Sequence, residues 1–276
     1  MSNTPSSTHA GKRGVTPELL AAVDFGRTSD DYARFRPGPP ASFYERLDAM
    51  KSLAGLDVAD IGAGTGLVGI ELAKRGARVV AVDPSREQLD QAARSAQAAR
   101  VQLRVQQAKA EATGLPDASV NLYIASQAWH WFDPVKAGAE ARRLLKPGGF
   151  IVTVSFDYLP GRSEVARMTE SLILKYNTTW PLADGNGCHI RPLYDLPAAG
   201  FIELQQFSYE HQQVFTHEGW RGRMRTCNGV GASLPREQVQ AFDADLATLL
   251  REHFPDPVGI AHRVWVVVAR QPETAP

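Results

Sequence analysis

An α/β fold, with a parallel sheet covered by helices on both faces, is predicted by three observations. Short apolar, strand-like runs alternate with helical segments between residues 56 and 156, joined by short connections. A glycine-rich turn, Gly62-Ala63-Gly64-Thr65-Gly66, follows the first such run, and an acidic residue, Asp83, ends the next. Near the C-terminus, residues 264–269 are apolar at consecutive positions, as in a strand buried on both faces, which places it inside the sheet.

The elements follow in order. Residues 1–16 are rich in Ser, Thr, Gly and Pro and read as a disordered tail. Thr16 and Pro17 suit a helix start before the apolar stretch 19–23. The proline-stiffened turn 32–40 then leads into a helix over 42–53. Strands are predicted at 56–61, 78–83, 101–107, 120–126 and 150–156. Between them lie helices over 67–75, over 86–99 behind a Ser85-x-x-Gln88 capping box, and over 134–145, stopped by Lys146-Pro147-Gly148-Gly149. The remainder departs from this rhythm. It holds a helix within 157–195, a long loop over 178–189, a strand over 201–207, and helices over 218–226 and 235–253.

Charge and composition exclude several classes. The 276 residues carry 30 Lys+Arg against 30 Asp+Glu, so nothing general attracts a phosphate backbone or an anionic membrane. A hydrophobic fraction of 43% with 22% charged residues is that of a globular protein. No apolar run approaches the ~20 residues of a membrane helix, and the polar start is no secretory signal. Cys188 and Cys227 form neither a disulfide framework nor a zinc spacing, so no metal is expected. The expectation is a cytoplasmic protein, monomeric or homodimeric, with no nucleic-acid or membrane partner.

The glycine turn carries the chemistry. Its glycines let the chain turn sharply and let a ligand lie against the backbone. Asp83, about 20 residues on, suits the two ribose hydroxyls of an adenosine. The spacing Gly-x-Gly-x-Gly is not the Gly-x-Gly-x-x-Gly that seats a pyrophosphate on a helix N-terminus. Asp60, just before the glycines, would repel a pyrophosphate but suits a cofactor bringing an ammonium and a sulfonium there. S-adenosylmethionine is such a cofactor.

Residues 56–156 resemble the class I S-adenosylmethionine-dependent methyltransferases of small-molecule type, as in the ubiquinone/menaquinone and trans-aconitate methyltransferases. The matching segments run in order: Val58 to Gly66; Val80-Ala-Val-Asp-Pro-Ser85; Ala110 to Pro116 with Asp117-Ala-Ser-Val120; Gln127 to Asp133; and Leu144-Leu-Lys-Pro-Gly-Gly149. The resemblance implies a Rossmann-like sheet of seven strands in the order 3-2-1-4-5-7-6, the last antiparallel. It implies one methyltransferase domain over 16–276, behind a tail over 1–15. Cap segments at about 16–40, 157–195 and 216–253 would cover the site.

The resemblance also implies roles. Gly62, Ala63, Gly64, Gly66 and Leu67 would pack under the methionine portion, with Asp60 holding its amino group. Asp83 would bind the ribose, Pro84 and Ser85 flank the adenine, and Ala110 and Glu111 sit beside the adenine amino group. Gln127, Ala128 and His130 would line the methionine side. Tyr32 and Arg36 would reach the methionine carboxylate, Arg36 as a bidentate donor. Plainer readings stand beside these: Asp60 as a turn cap, Asp83 as a solvated strand end, and Tyr32 and Arg36 as parts of a proline-held turn.

Methyl transfer from a sulfonium is an in-line displacement with a neutral leaving group, so alignment and exclusion of water dominate, and a base is needed only for an acceptor that must lose a proton. His130, His189, His211, His217 and His262 are the candidate bases, with His130 and His189 the best placed; His130 equally reads as a lining residue, His189 as a loop histidine, and His262, heading the inner strand, as structural. Trp131, Trp180, His189 and Arg223 are the candidate acceptor contacts, against core packing for the tryptophans and a solvated helix face for the arginine. The expected activity is methyl transfer to an O, N or C atom of a small molecule, giving S-adenosyl-L-homocysteine. The alternatives are a nucleic-acid or protein methyltransferase, or a protein that binds this cofactor for other chemistry or for none.

Overall fold

The computed structural model describes residues 34–273. The tail, the 19–23 helix and Tyr32 lie outside the described residues.

The chain enters through α1 (Ala41–Met50), then alternates β1 (Asp57–Ile61), α2 (Leu67–Lys74), β2 (Arg78–Asp83), α3 (Arg86–Ala98) and β3 (Leu103–Gln107). β4 (Val120–Ser126), α4 (Pro134–Leu144) and β5 (Leu145–Tyr158) follow. The second part comprises α5 (Glu164–Tyr176), α6 (Pro192–Ala198), β6 (Ile202–Phe215), α7 (His217–Arg225), α8 (Arg236–His253) and β7 (Val258–Arg270). The seven strands form one sheet in the order β3-β2-β1-β4-β5-β7-β6. β1 to β5 pair in parallel; β7 lies between β5 and β6, inside the sheet as the doubly apolar run predicts, and runs antiparallel to both, as the resemblance implies.

Strand periodicity divides the interior into two layers. Val58, Leu122, Ile124, Val152 and Val266 face the side covered by α1 and α2, with Phe43, Leu47, Val68 and Leu72. Ala59, Ile61, Tyr123, Ile151 and Val267 face the side covered by α4 and α6, with Ala137, Ala141 and Leu196. A third core joins α5, α7 and α8 to the ends of the outer strands: Ile173, Trp220, Met224, Phe242 and Leu246 pack on Phe215, Val258 and Ile260. Phe215 ends β6 and Val258 begins the antiparallel β7, so this helical cluster stands at the carboxyl end of the sheet.

Local chemistry sets the ends of the elements that frame this edge. Ser85 Oγ accepts from Gln88 N at 3.3 Å, but the other half of the expected capping box is missing. Ser85 N donates instead to Asp83 Oδ1, which frees the Gln88 side chain to turn toward the glycine loop. Asp133 caps α4, accepting from Val135 N and Lys136 N. α4 ends at Leu144, as the Lys146–Gly149 stop predicts to within a residue, but the stop segment itself is taken into β5, which starts directly after the helix rather than at 150. A register shift between Val120 and Leu122 absorbs the segment, with Gly148 at φ +69°. β6 runs to Phe215, well past the expected end at 207, because an exposed edge strand needs no apolar run.

Candidate active site

The strand ends and the loops after them enclose a cleft of about 240 Å³ at the carboxyl edge of β1, β2, β4 and β5. Open parallel sheets bind ligands at this edge, beside the point where strand order reverses. A larger groove of about 650 Å³ at the opposite edge is lined by strand beginnings such as Asp57 and Arg78 and holds no such loop.

The glycine loop is one wall. Gly62, Gly64 and Gly66 adopt φ values of +67°, +55° and +79°, the left-handed region that side chains avoid. Gly62 N and Ala63 N donate to Val82 O at 2.8 and 3.1 Å, fastening the loop to β2. A Cβ on Gly62 would lie 2.6 Å from Ala128 Cβ, and one on Gly66 2.9 Å from Ala92 Cβ. The loop is therefore pressed against α3 and the β4 exit as tightly as glycine allows.

Two carboxylates face this loop. Asp83 accepts from Gly64 N through Oδ2 and from Ser85 N through Oδ1, both at 2.9 Å. Burial pushes its pKa upward, and those two N–H groups oppose the shift. Asp60 is 1% exposed and accepts from Gly69 N at 2.9 Å; burial raises its pKa to about 7, with Asp83 adding to the rise. A group bringing a positive charge would return Asp60 to its ionised form. Thr65 Oγ1 and Gln88 Oε1, on wall residues, are buried without hydrogen-bond partners among the described residues.

The other wall follows β4 and β5. Gln127 takes φ +55°, a costly backbone state for a side-chain-bearing residue. It is held there by Gln127 N donating to Val154 O, and by Nε2 donating to Phe156 O at 2.7 Å and Asp157 Oδ1 at 3.0 Å. Asp157 also meets His189 Nε2 at 2.6 Å. Burial favours a neutral Asp157, but the charge and hydrogen bond of His189, the Gln127 amide and the Arg36 guanidinium outweigh it and hold the carboxyl well below its usual range. His189 is raised in turn, the attraction of Asp157 overcoming burial. The His130 ring lies 6.0 Å from that of His189, and burial, with His189 beside it, lowers its pKa to about 4. His130 is therefore neutral at pH 7.

Of the residues singled out in the sequence, Arg36, Asp60, Gly62, Ala63, Gly64, Leu67, Asp83, Pro84, Ser85, Gln127, Ala128 and Trp131 line the cleft together. Gly66 packs beneath it. Ala110 sits in the core, and Glu111 accepts from Asp133 N at 2.9 Å, tying the loop after β3 to the start of α4. His130 and His189 are not among the residues lining the cleft: the His130 ring lies 4.8 Å from that of Trp131, and His189 reaches the wall residue Gln127 through Asp157. Trp180 is placed elsewhere: 7% exposed, it packs on Gly229 within the helical cluster and donates from Nε1 to Asn228 Oδ1 at 3.0 Å. Arg223 lies on no solvated face; it is 5% exposed, on the buried side of α7. Sequence reasoning missed Asp157, although a carboxylate at the end of a parallel strand is the same signal that marks Asp83. It also missed Gln88, masked by its apparent capping role.

Residues 59–153 match the family model described as a methyltransferase domain. An uncharacterized methyltransferase of Mycobacterium tuberculosis is 41% identical over 128 residues, 46% of this chain and 50% of that protein, so the chain spans about half the length of this relative. A ubiquinone biosynthesis O-methyltransferase of Xanthomonas oryzae is 30% identical over 65% of this chain and 75% of its own length. A solved structure from Anaeromyxobacter dehalogenans, of a protein assigned as a type II methyltransferase, superposes with a TM-score of 0.62 at 27% identity, over 88% of this chain and 100% of that one. In order of motifs, order of strands and likeness over this length, the chain belongs to the class I S-adenosylmethionine-dependent methyltransferases.

Proposed function

We propose that the cleft holds S-adenosylmethionine and that the protein transfers its methyl group to an O, N or C atom of a small molecule. The observation that carries this reading is the set of acceptors gathered around the glycine loop. Asp60, Asp83, Thr65 Oγ1 and Gln88 Oε1 converge on one cleft, and the latter two lack partners among the described residues. This donor-seeking lining fits a group that brings an ammonium and two ribose hydroxyls. When bound, the cofactor supplies an activated methyl on a sulfonium.

The chain's own residues do the rest. Asp83 accepts from the ribose while its backbone bonds keep the loop in place, Asp60 faces the ammonium, and Arg36 balances the carboxylate. Pro84 and Ser85 flank the base. Trp131, Phe132 and Phe156 exclude water from the methyl side, which is where alignment and a dry site contribute most to a displacement. The strained Gln127 links this wall to Asp157, and Asp157 fixes the orientation of His189. For an acceptor that must lose a proton, His189 takes it, and Asp157 stabilises the imidazolium that results.

Incubation with methyl-labelled cofactor and fractionated cell extract, followed by mass spectrometry, tests the acceptor class. The label is expected in a low-molecular-weight product; label confined to RNA or protein would overturn the small-molecule reading.

A further inference from the structure

Two buried side chains at the end of β5 each leave one polar atom without a hydrogen-bond partner among the described residues, and neither atom is used by the cofactor reading. The first is Arg223 of α7. Its guanidinium lies over the Tyr158 ring, 5.5 Å from the centroid, and Nη1 makes no hydrogen bond. Burial and the nearby Arg36 both work against its charge. The ionised group acting on it, Asp157, is already engaged by His189 and Gln127. A guanidinium buried in this way is strongly destabilising unless an anion meets it.

The second is His262 of β7, 1% exposed. Its Nδ1 lies 2.9 Å from Ile260 O, and because a carbonyl only accepts, Nδ1 carries the hydrogen. Burial lowers the ring's pKa to about 4, so at pH 7 Nε2 holds a bare lone pair, and that atom has no partner. The His262 ring lies 4.8 Å from Phe156, which lines the cleft, and 6.3 Å from Tyr158, beneath Arg223. An unmet donor and an unmet acceptor thus border one aromatic patch that adjoins the cofactor cleft. An unsatisfied buried polar atom is destabilising, and packing alone gives no reason to keep two together.

We propose that Arg223 and His262 recognise the methyl acceptor, and that the acceptor is a carboxylic acid bearing a neighbouring hydroxyl. The carboxylate accepts from Arg223, and the hydroxyl donates to His262 Nε2. A phosphate dianion fits worse: it offers no hydrogen to Nε2 and adds a second charge facing Asp157. A cationic acceptor is opposed by Arg223 and Arg36. This proposal rests on the methyltransferase reading of the cleft.

The test is calorimetry on the full chain saturated with S-adenosylhomocysteine, using salicylate, benzoate and salicylamide as ligands. The wild type is expected to bind salicylate at least tenfold more tightly than salicylamide, a comparison that needs no variant. Arg223→Gln is expected to erase that difference, and Arg223→Lys to restore part of it. His262→Phe is expected to bring salicylate down to the affinity of benzoate and leave benzoate unchanged. Affinity for S-adenosylhomocysteine stays within twofold in each variant, which shows an intact fold. Equal binding of salicylate and salicylamide, undiminished salicylate binding by Arg223→Gln, or no acid binding by a protein that binds S-adenosylhomocysteine would each overturn the proposal. Failure of the wild type to bind S-adenosylhomocysteine would instead overturn the reading beneath it.

Discussion

Two glycines in the same backbone region separate the cost of conformation from the cost of crowding. Gly55, in the turn before β1, has φ +78°, and a Cβ built there meets nothing within 4 Å. Gly62 has φ +67°, and its Cβ would sit 2.6 Å from Ala128 Cβ and 3.1 Å from Phe132 Cζ. Alanine at either position pays for a left-handed backbone, about 1–2 kcal/mol. Only at position 62 does overpacking add about 1–3 kcal/mol more. Gly55→Ala should therefore cost about 1–2 kcal/mol and Gly62→Ala about 2–5 kcal/mol. At about 2–4 °C per kcal/mol for a domain near this size, the second variant should melt several degrees below the first. Ala128 and Phe132 line the cleft, so Gly62→Ala should also weaken S-adenosylhomocysteine at least tenfold, whereas Gly55→Ala, at the far edge of the sheet, should leave it unchanged. Denaturation and calorimetry on the two purified variants read both effects. Equal melting temperatures with equal affinities would refute the close approach of the loop to the β4 exit.

Three further outcomes follow from the same geometry. If His189 takes a proton from the acceptor, the transfer rate should rise with pH through an inflection above the ordinary histidine value of about 6.5, because Asp157 raises its pKa. Asp157→Asn should lower both the inflection and the rate in a pH–rate profile. The stability contributed by this raised pKa is fully present below the unfolded value and is lost as pH rises through the folded one, so the gap between wild type and Asp157→Asn should narrow in alkaline denaturation curves. Glu140, 8% exposed, accepts from Arg143 and from Thr113 N and Oγ1, and the Arg143 bond comes first in bringing its pKa down to about 2. Glu140→Gln should cost about 1.5–3 kcal/mol at pH 7, and the difference should vanish as pH falls from about 4 toward 2, by urea denaturation across pH. Trp180→Phe should lose about 1 kcal/mol with its Asn228 bond and leave the acceptor KM unchanged; a raised KM would return Trp180 to the site.

The parallel half of the fold was legible because its signals are local. The glycine turn, the apolar strands and the Ser85 cap each reflect a single physical requirement that sequence displays directly, as does the doubly apolar β7 beside them. The edge strand β6 was under-read because an exposed strand needs no apolar alternation over Glu210-His-Gln-Gln213, and the short α6 because Pro192 and Pro197 look like breakers. At the site, Asp60, Asp83 and the glycines could be assigned from spacing along one turn. Asp157 with His189, or Arg223 with His262, could not, since each pair joins residues 32 or 39 positions apart whose meeting depends on how α5, α7 and α8 seat on the sheet. Trp180 and Arg223 show the same limit from the other side. Position near the expected acceptor region did not distinguish a core indole from a buried, unmatched guanidinium.

Titration of the wild type and of Asp83→Ala with S-adenosylhomocysteine tests the central claim most directly. Asp83 joins the glycine loop, through Gly64 N, to the place where the ribose is expected, so removing its carboxylate takes away both loop anchor and ligand partner. One site per chain is expected in the wild type, with at least tenfold weaker binding by Asp83→Ala and no binding of NAD by either. Absence of S-adenosylhomocysteine binding in the wild type, or equal affinity in the variant, would contradict it.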